Sequence, residues 1–96
     1  MSPINKKKLN LIRIKLDKLD TDLLKLIKKR SNLVNEVLKV KVHKKEIIDQ
    51  KRINFILKKI KKKSIQLNID PKISNRIWKN MIWSFIDYEK RNFKKK

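Results

Sequence analysis

The chain has no cysteine, no glycine and no alanine, and it has a single histidine and only nine acidic residues. Without cysteine it cannot form a disulfide, a thiolate nucleophile or a cysteine-ligated zinc site. One histidine, His43, cannot make a histidine metal site alone. These absences argue against a metalloenzyme and a cysteine enzyme, and we expect the protein to use no metal and no cofactor.

Long apolar runs are also missing. No stretch could cross a bilayer, and the basic residues 6–8 precede amphipathic sequence rather than the apolar core of a signal peptide. We therefore expect a soluble, cytoplasmic protein. At 96 residues the chain should form one domain, residues 1–96, with a modest core. Residues 1–7 and 92–96 are expected to be flexible tails, and the modest core makes oligomerisation a natural expectation.

The positive charge has two explanations. The formal net charge of +20 and the pI near 10.5 are typical of proteins that bind nucleic acid or anionic membranes. However, a chain without Ala and Gly but rich in Lys, Ile and Asn is what an AT-rich genome produces by mutation alone. We attribute most of the charge to this drift. A basic helical nucleic-acid-binding protein is the alternative, in which lysines of the second helix and of the tail, Lys94, Lys95 and Lys96, would contact phosphates.

Arginine is rare, since only five of the 29 basic residues are Arg. Drift would replace a surface Arg by Lys wherever a point charge is sufficient. The surviving arginines therefore indicate sites that need the planar, bidentate guanidinium group. Helical periodicity places Arg13, Arg30 and Arg52 at such positions, whereas Arg76 and Arg91 could be remnants.

Helical periodicity predicts an all-α fold of three helices, the first of them long. The first helix should run from about Lys8 to Val42, and the polar segment His43–Glu46 should form a turn. The second helix should span about Ile48 to Leu67, after which Asn68 can adopt the left-handed conformation that closes a helix. Asp70 and Pro71 are suited to the N-cap and first turn of the third helix.

Charged residues continue two apolar stripes of these helices. In the first helix the stripe has alternating steps of three and four residues and consists of Leu9, Ile12, Leu16, Leu19, Leu23, Leu26, Arg30, Leu33, Val37 and Val40. In the third helix it consists of Ile73, Ile77, Met81 and Phe85, and Glu89 continues it. A charge inside an apolar stripe needs an opposite charge to meet.

The lengths of the helices predict an intertwined homodimer. Two short helices of about 30 Å each cannot cover the apolar stripe of a first helix of about 50 Å. Two chains with antiparallel long helices, each covered by the short helices of the other, would bury the whole stripe.

Helical geometry also groups the charged side chains. Arg30 and Lys41 are three helical turns apart, about 16 Å along the axis, and point nearly the same way, so they could converge on one small anion. Arg13 lies about 25 Å from Arg30 along the same helix, so it could reach that anion only from the partner chain. Arg52 and Glu89 could close the pocket from the sides.

These residues also have purely structural interpretations. Arg13 could pair with Asp17 at the surface, and the aliphatic part of Arg30 could cover apolar surface while its charge stays in water. Lys41 could serve only as a cation near a helix C-terminus. Asp49 is a natural N-cap for the second helix, a role compatible with a functional one. Glu89 could be an exposed acid paired with a neighbouring cation, either Lys90 or Arg91.

The spacing of the charged residues resembles the all-helical chorismate mutase family. The resemblance runs from about Leu9 to Glu89 and consists of Leu9-x-x-x-Arg13, Leu19-Asp20, Leu23-Leu24-x-Leu26-Ile27-x-x-Arg30, Val37-x-x-x-Lys41 and Asp49-x-x-Arg52. It implies an intertwined homodimer of three-helix subunits. It also implies an isomerase of the shikimate pathway, which converts chorismate to prephenate in aromatic amino acid biosynthesis.

The resemblance implies a role for each charged residue. Arg30 and Arg13 of the partner subunit would bind the carboxylates of chorismate, and Lys41 would bind the enolpyruvyl carboxylate and the ether oxygen. Glu89 would donate a hydrogen bond to the same oxygen, which requires its protonated form. The reaction is a unimolecular rearrangement, so it needs only a compact bound conformer and stabilisation of the charge that develops on the ether oxygen.

Four further positions belong to the substrate site by this resemblance. Asp49 and Arg52 resemble the polar pair at the start of the second helix. Ile53 stands where many members have a Glu that binds the ring hydroxyl, and Phe85 stands where some have a Ser. Isochorismate pyruvate lyase, a relative with the same fold, also has an aliphatic residue at the first of these positions. The sequence therefore leaves chorismate and isochorismate open as substrates, with this lyase as the alternative enzyme.

Overall fold

A computed structural model describes residues 2–94 of the chain. These residues form three α-helices, α1 (Pro3–Val40), α2 (Gln50–Gln66) and α3 (Pro71–Asn92), and a short 3-10 helix (Lys44–Ile47). The predicted all-α fold of three helices, the first of them long, is confirmed. The end of the predicted basic tail, Lys95 and Lys96, lies outside the described residues, as does Met1. The flexibility expected for residues 1–7 and 92–96 stays a prediction.

The first helix begins earlier than predicted and ends slightly earlier too. The predicted start was about Lys8, whereas α1 begins at Pro3 and ends at Val40. The Ser2 side chain caps this start, because its Oγ accepts a hydrogen bond from the Asn5 backbone N–H at 3.2 Å. Proline at the first helical position adds to the signal, because its fixed φ angle suits a helix start. Lys6 and Lys7, which were expected to precede the helix, therefore lie within it.

The chain divides into two compact units, one up to Leu33 and one from Val34 onward. The first unit is the larger part of α1. Its apolar stripe is exposed, with Leu19, Leu23 and Leu26 each more than half accessible to solvent, at 58%, 54% and 59%. A folded protein rarely leaves such a row of leucines in water, so this face is unsatisfied within the single chain.

The second unit has a small core formed by residues of the 3-10 helix, α2 and α3. Ile47, Ile53, Ile82 and Ile86 are buried in it, and three partly buried residues pack against them, namely Ile56, Leu57 and Phe93. The core residues of α2, Ile53, Ile56 and Leu57, are three and four residues apart and so lie on one face of that helix. In α3 the buried residues are instead Ser74, Ile82, Ile86 and Glu89.

The connection between α2 and α3 follows the local sequence signals. Asn68 has a φ of 56°, and the backbone N–H of Ile69 donates to the Ser64 carbonyl at 2.9 Å, as in a Schellman motif. Asp70 then caps α3 by accepting from the Lys72 N–H at 2.9 Å. The predicted roles of Asn68 and Asp70 are confirmed. The hydroxyl groups of Ser64 and Ser74, both buried, share a hydrogen bond that joins the two helices.

Two boundaries and one helix face differ from the sequence predictions. The predicted turn over His43–Glu46 contains a 3-10 helix, and α2 begins at Gln50 rather than Ile48 because Asp49 caps it. The predicted apolar row of α3 starts with Ile73 and Ile77, yet these are 56% and 52% exposed. Small Ser74 lets α2 approach closely, so the contact face of α3 is rotated away from these two isoleucines.

Candidate active site

Lys41 and Glu89 form a partly buried ion pair in the second unit. The Lys41 Nζ donates to Oε1 of Glu89 at 3.1 Å. Glu89 is only 6% exposed, and the Lys41 side chain is 15% exposed. A charged group removed from water must be compensated by an opposite charge or by hydrogen bonds. The two side chains provide this compensation for each other.

The expectation that Glu89 is an exposed acid paired with Lys90 or Arg91 is wrong. The residue is buried, and its carboxylate pairs with Lys41 rather than with a sequence neighbour. The Arg91 Nε instead contacts Oδ2 of Asp87 at 2.9 Å, in a pair that is about two-thirds exposed on each side. Lys41 follows the last residue of α1, as expected for a cation near a helix C-terminus, but its ammonium group is directed to α3. Lys41 is therefore both a cation near the end of α1 and the ion-pair partner of Glu89.

Helix periodicity explains how α3 presents Glu89. Glu89 is three residues after Ile86 and seven after Ile82, so it lies on the face that these two isoleucines bury. Lys41 is placed by the end of α1, since α1 ends at Val40 and the chain then turns into the 3-10 helix. The pair thus joins the segment that follows α1 to the buried face of α3.

An open groove of about 410 Å³ is lined in part by Lys41. The residues that line it are Lys41, Glu46, Ile48, Asp49, Gln50 and Lys51. Its two carboxylates already accept hydrogen bonds from backbone N–H groups, Glu46 from His43 at 2.9 Å and Asp49 from Arg52 at 3.0 Å. The second bond confirms Asp49 as the N-cap of α2. An anion entering the groove would meet Lys41 at its wall.

A second hydrogen bond between side chains also joins α1 to α3, and no sequence pattern predicts it. The Tyr88 hydroxyl donates to Oδ1 of Asn35 at 2.7 Å, and both side chains are partly buried. Tyr88 directly precedes Glu89, and Asn35 lies on the last turns of α1 before Lys41. A buried tyrosine needs a partner for its hydroxyl, but sequence periodicity could not say which one.

The other predicted site residues of the second unit have diverse surroundings. The guanidinium group of Arg52 lies over the exposed ring of Phe55, 5.4 Å from its centroid. Ile53 is buried in the core, and Phe85 is half-buried. The predicted roles of Arg52, Ile53 and Phe85 in binding stay predictions.

The first unit carries the other two predicted arginines on α1. Arg13 is exposed, and Arg30 is half-buried. They are separated by about 25 Å along the helix, so one small molecule cannot touch both within a single chain. Their predicted roles also stay predictions.

Within residues 2–94 no group of three or more His, Cys, Asp or Glu side chains is placed to hold a metal ion. None of the helices described there is long and apolar enough to span a bilayer.

Comparison with known proteins decides the family. A family model for chorismate mutase type II matches residues 12–90. The chain belongs to the chorismate mutase type II family. Searches of curated proteins and of solved structures found no match. Chorismate mutase type II is an isomerase family, so this chain is an enzyme of that class.

The family match covers all eight residues predicted for the site. They are Arg13, Arg30, Lys41, Asp49, Arg52, Ile53, Phe85 and Glu89. A chorismate mutase must stabilise negative charge on an ether oxygen while binding a dicarboxylate. Of these residues, Lys41 has a side chain that is only 15% exposed, and it also lines the open groove.

Proposed function

We propose that this chorismate mutase family member converts chorismate to prephenate at a site built around Lys41 and Glu89. The observation that carries the proposal is the 3.1 Å contact between these two side chains, where water is largely excluded. In the rearrangement the bond from the ring to the ether oxygen breaks as a carbon–carbon bond forms, with no net proton transfer. The site therefore has to hold the reactive conformer and stabilise the oxygen.

Lys41 is the proposed donor to the ether oxygen and to the enolpyruvyl carboxylate. A lysine ammonium group has three N–H donors, and one of them is directed to Glu89 in the structure. The remaining two can serve the substrate without breaking the pair. Electrostatic stabilisation is stronger where water is excluded, because the effective dielectric constant is lower. The low exposure of Lys41 supports this role.

Glu89 is the proposed second donor to the ether oxygen. A carboxyl group donates only when it carries a proton, so this role requires Glu89 to take up a proton in the complex with substrate. With the carboxylate deprotonated, the second donor is lost and Glu89 can only orient Lys41.

Glu89→Gln is therefore expected to retain activity, because an amide supplies an N–H donor at every pH. The measurement is kcat against pH for both proteins, with Asp87→Asn as the control because Asp87 is an exposed acid on the same helix. A Glu89→Gln variant with a lower kcat than the original across the whole pH range would contradict the donor role.

The arginines are proposed to hold the carboxylates of chorismate in a homodimer. Arg30 would act together with Arg13 of the partner subunit, because the two are too far apart along α1 to share a ligand within one chain. The exposed leucines of the first unit support dimer formation, since a second antiparallel copy of α1 with its short helices would bury them. Asp49 and Arg52 are proposed to complete the polar wall at the start of α2.

Ile53 and Phe85 support a second candidate, the isochorismate pyruvate lyase reaction. Ile53 is buried among Ile47, Ile82 and Ile86, so an aliphatic core occupies the position where many family members have a Glu. The lyase has an aliphatic residue there as well. Phe85 is proposed to contact the substrate in either reaction.

Separate incubation with chorismate and with isochorismate distinguishes these reactions. We expect prephenate from chorismate, identified by its acid-catalysed conversion to phenylpyruvate, and no salicylate or pyruvate from isochorismate. Salicylate and pyruvate would instead establish the lyase. Failure of both substrates would favour the basic helical nucleic-acid-binding protein, whose binding to RNA or DNA should then weaken steeply with salt.

A further inference from the structure

We propose that the hydrogen bond between Tyr88 and Asn35 is a positioning element that holds Lys41 and Glu89 in register. The inference rests on the proposed function, since it assigns a task to two residues beside that site. The Tyr88 hydroxyl donates to Oδ1 of Asn35 at 2.7 Å across 53 residues of sequence. The bond links the end of α1 to α3, the same two parts that Lys41 and Glu89 link.

Packing alone gives the Lys41–Glu89 pair little support. The α3 backbone packs mainly on α2 and on the 3-10 helix rather than on α1. Lys41 lies beyond the last residue of α1, and a lysine side chain has several rotatable bonds that must be fixed before it can act. A single flexible contact could not hold the two helices at a defined offset.

Two hydrogen bonds at separate points can restrain the position of α3 relative to the end of α1, whereas one cannot. On α3 the donating Tyr88 and the accepting Glu89 are consecutive residues. Their partners are Asn35, on the last turns of α1, and Lys41, just beyond its end. These two residues are six apart in sequence, a spacing of about 9 Å along a helix axis. One bond would allow α3 to pivot about it, whereas two bonds at separate points resist both pivoting and sliding.

The chemistry of the pair suits positioning rather than reaction. Tyr88 and Asn35 are uncharged groups that add no charge to the site. The single hydroxyl proton of Tyr88 is already used on Asn35, so it is not aimed at a ligand. Both side chains are partly buried, so water competes for this bond less than at the surface. Tyr88 is a positioning residue in this proposal, not a catalytic one.

Tyr88→Phe is expected to lower kcat about tenfold, with KM changed less than twofold. The ring stays in place and only the hydroxyl is lost, so folding and substrate binding are retained while Lys41 is misplaced in the transition state. Asn35→Leu should reproduce the loss, and Asn35→Asp, which keeps an acceptor at the same point, should restore kcat. Tyr88→Phe and Asn35→Leu remove the same hydrogen bond, so the double variant should lose no more kcat than either single variant.

Ser84→Ala is the matched control, because it removes a hydroxyl bonded only within α3, to the Asn80 carbonyl at 2.7 Å. It should leave kcat unchanged. A Tyr88→Phe enzyme with kcat within twofold of the original would overturn the proposal. Loss of kcat in Asn35→Asp equal to that in Asn35→Leu would also overturn it.

A measurement without substrate separates this inference from the proposed function. In ¹H–¹⁵N spectra of lysine ammonium groups, Lys41 should give a protected signal, assigned by its loss in Lys41→Met. Tyr88→Phe should shift that signal toward its position in Glu89→Gln, whereas Ser84→Ala should not. An unmoved signal would overturn the positioning role even if the enzyme proved active. A moved signal would support it even if neither substrate reacted.

Discussion

Replacing Lys41 by methionine is expected to lower kcat/KM by about 10²–10³-fold, comparable to removal of one preorganised donor from an oxyanion site. Methionine keeps the approximate shape of the side chain but supplies no donor and no charge to the ether oxygen. Because the stabilisation is needed mainly in the transition state, kcat should fall more than KM rises. Steady-state kinetics with chorismate measure both parameters.

The same substitution should also lower the free energy of unfolding. Glu89 would remain buried without its cation, and removing one partner of a buried ion pair costs roughly 3–5 kcal/mol. Adding Glu89→Gln removes that charge with little change in shape. The double variant should therefore recover thermal stability at equal protein concentration while activity stays low, which separates the chemical role of Lys41 from its structural one.

Lys39→Met is the control for both effects. Lys39 is an exposed cation in the last turn of α1, two residues from Lys41, and it should tolerate the change in activity and stability. If Lys41→Met kept more than a third of the original kcat/KM, the ammonium group would not be acting on the reacting oxygen. Chemical denaturation of each variant, monitored by Trp78 and Trp83 fluorescence, supplies the unfolding free energies.

The sequence predicted well wherever a short segment determines its own conformation. Asn68 closes α2 and Asp70 opens α3 because capping depends on a few neighbouring residues. The start of α1 was missed although Ser2 and Pro3 carry the same kind of signal. The prediction rests on apolar periodicity, which the lysines at positions 6–8 lack, so it places the helix start after the Ser2 cap.

Contacts between distant residues were harder to predict. Periodicity placed Glu89 at the end of an apolar row, but it could not choose between Lys41 and the adjacent cations as its partner. The bond from Tyr88 to Asn35 spans 53 residues, and no local pattern encodes it. The choice of contact face on α3 depended on how closely Ser74 lets α2 approach, which is a property of the packed pair of helices.

Mixing Arg13→Ala with Arg30→Ala chains is expected to restore about one quarter of the original activity. Each variant alone should be reduced about 10²–10³-fold, because every site in its homodimer lacks one carboxylate-binding arginine. Random exchange of subunits makes half of the dimers mixed. In a mixed dimer one site regains both arginines and the other lacks both, so half of the sites in half of the dimers are active.

A second mixture tests which chain supplies each residue. Arg30 and Lys41 are proposed to serve the same site from the same chain, so an Arg30→Ala and Lys41→Met mixture leaves one defect in each site of the mixed dimer. That mixture should show no recovery, although its subunits exchange equally well. Native mass spectrometry measures the fraction of mixed dimers in both experiments. Mixed dimers without recovery in the first mixture would exclude a site that Arg13 enters from the partner chain. Recovery in the second mixture would exclude Arg30 and Lys41 acting from the same chain.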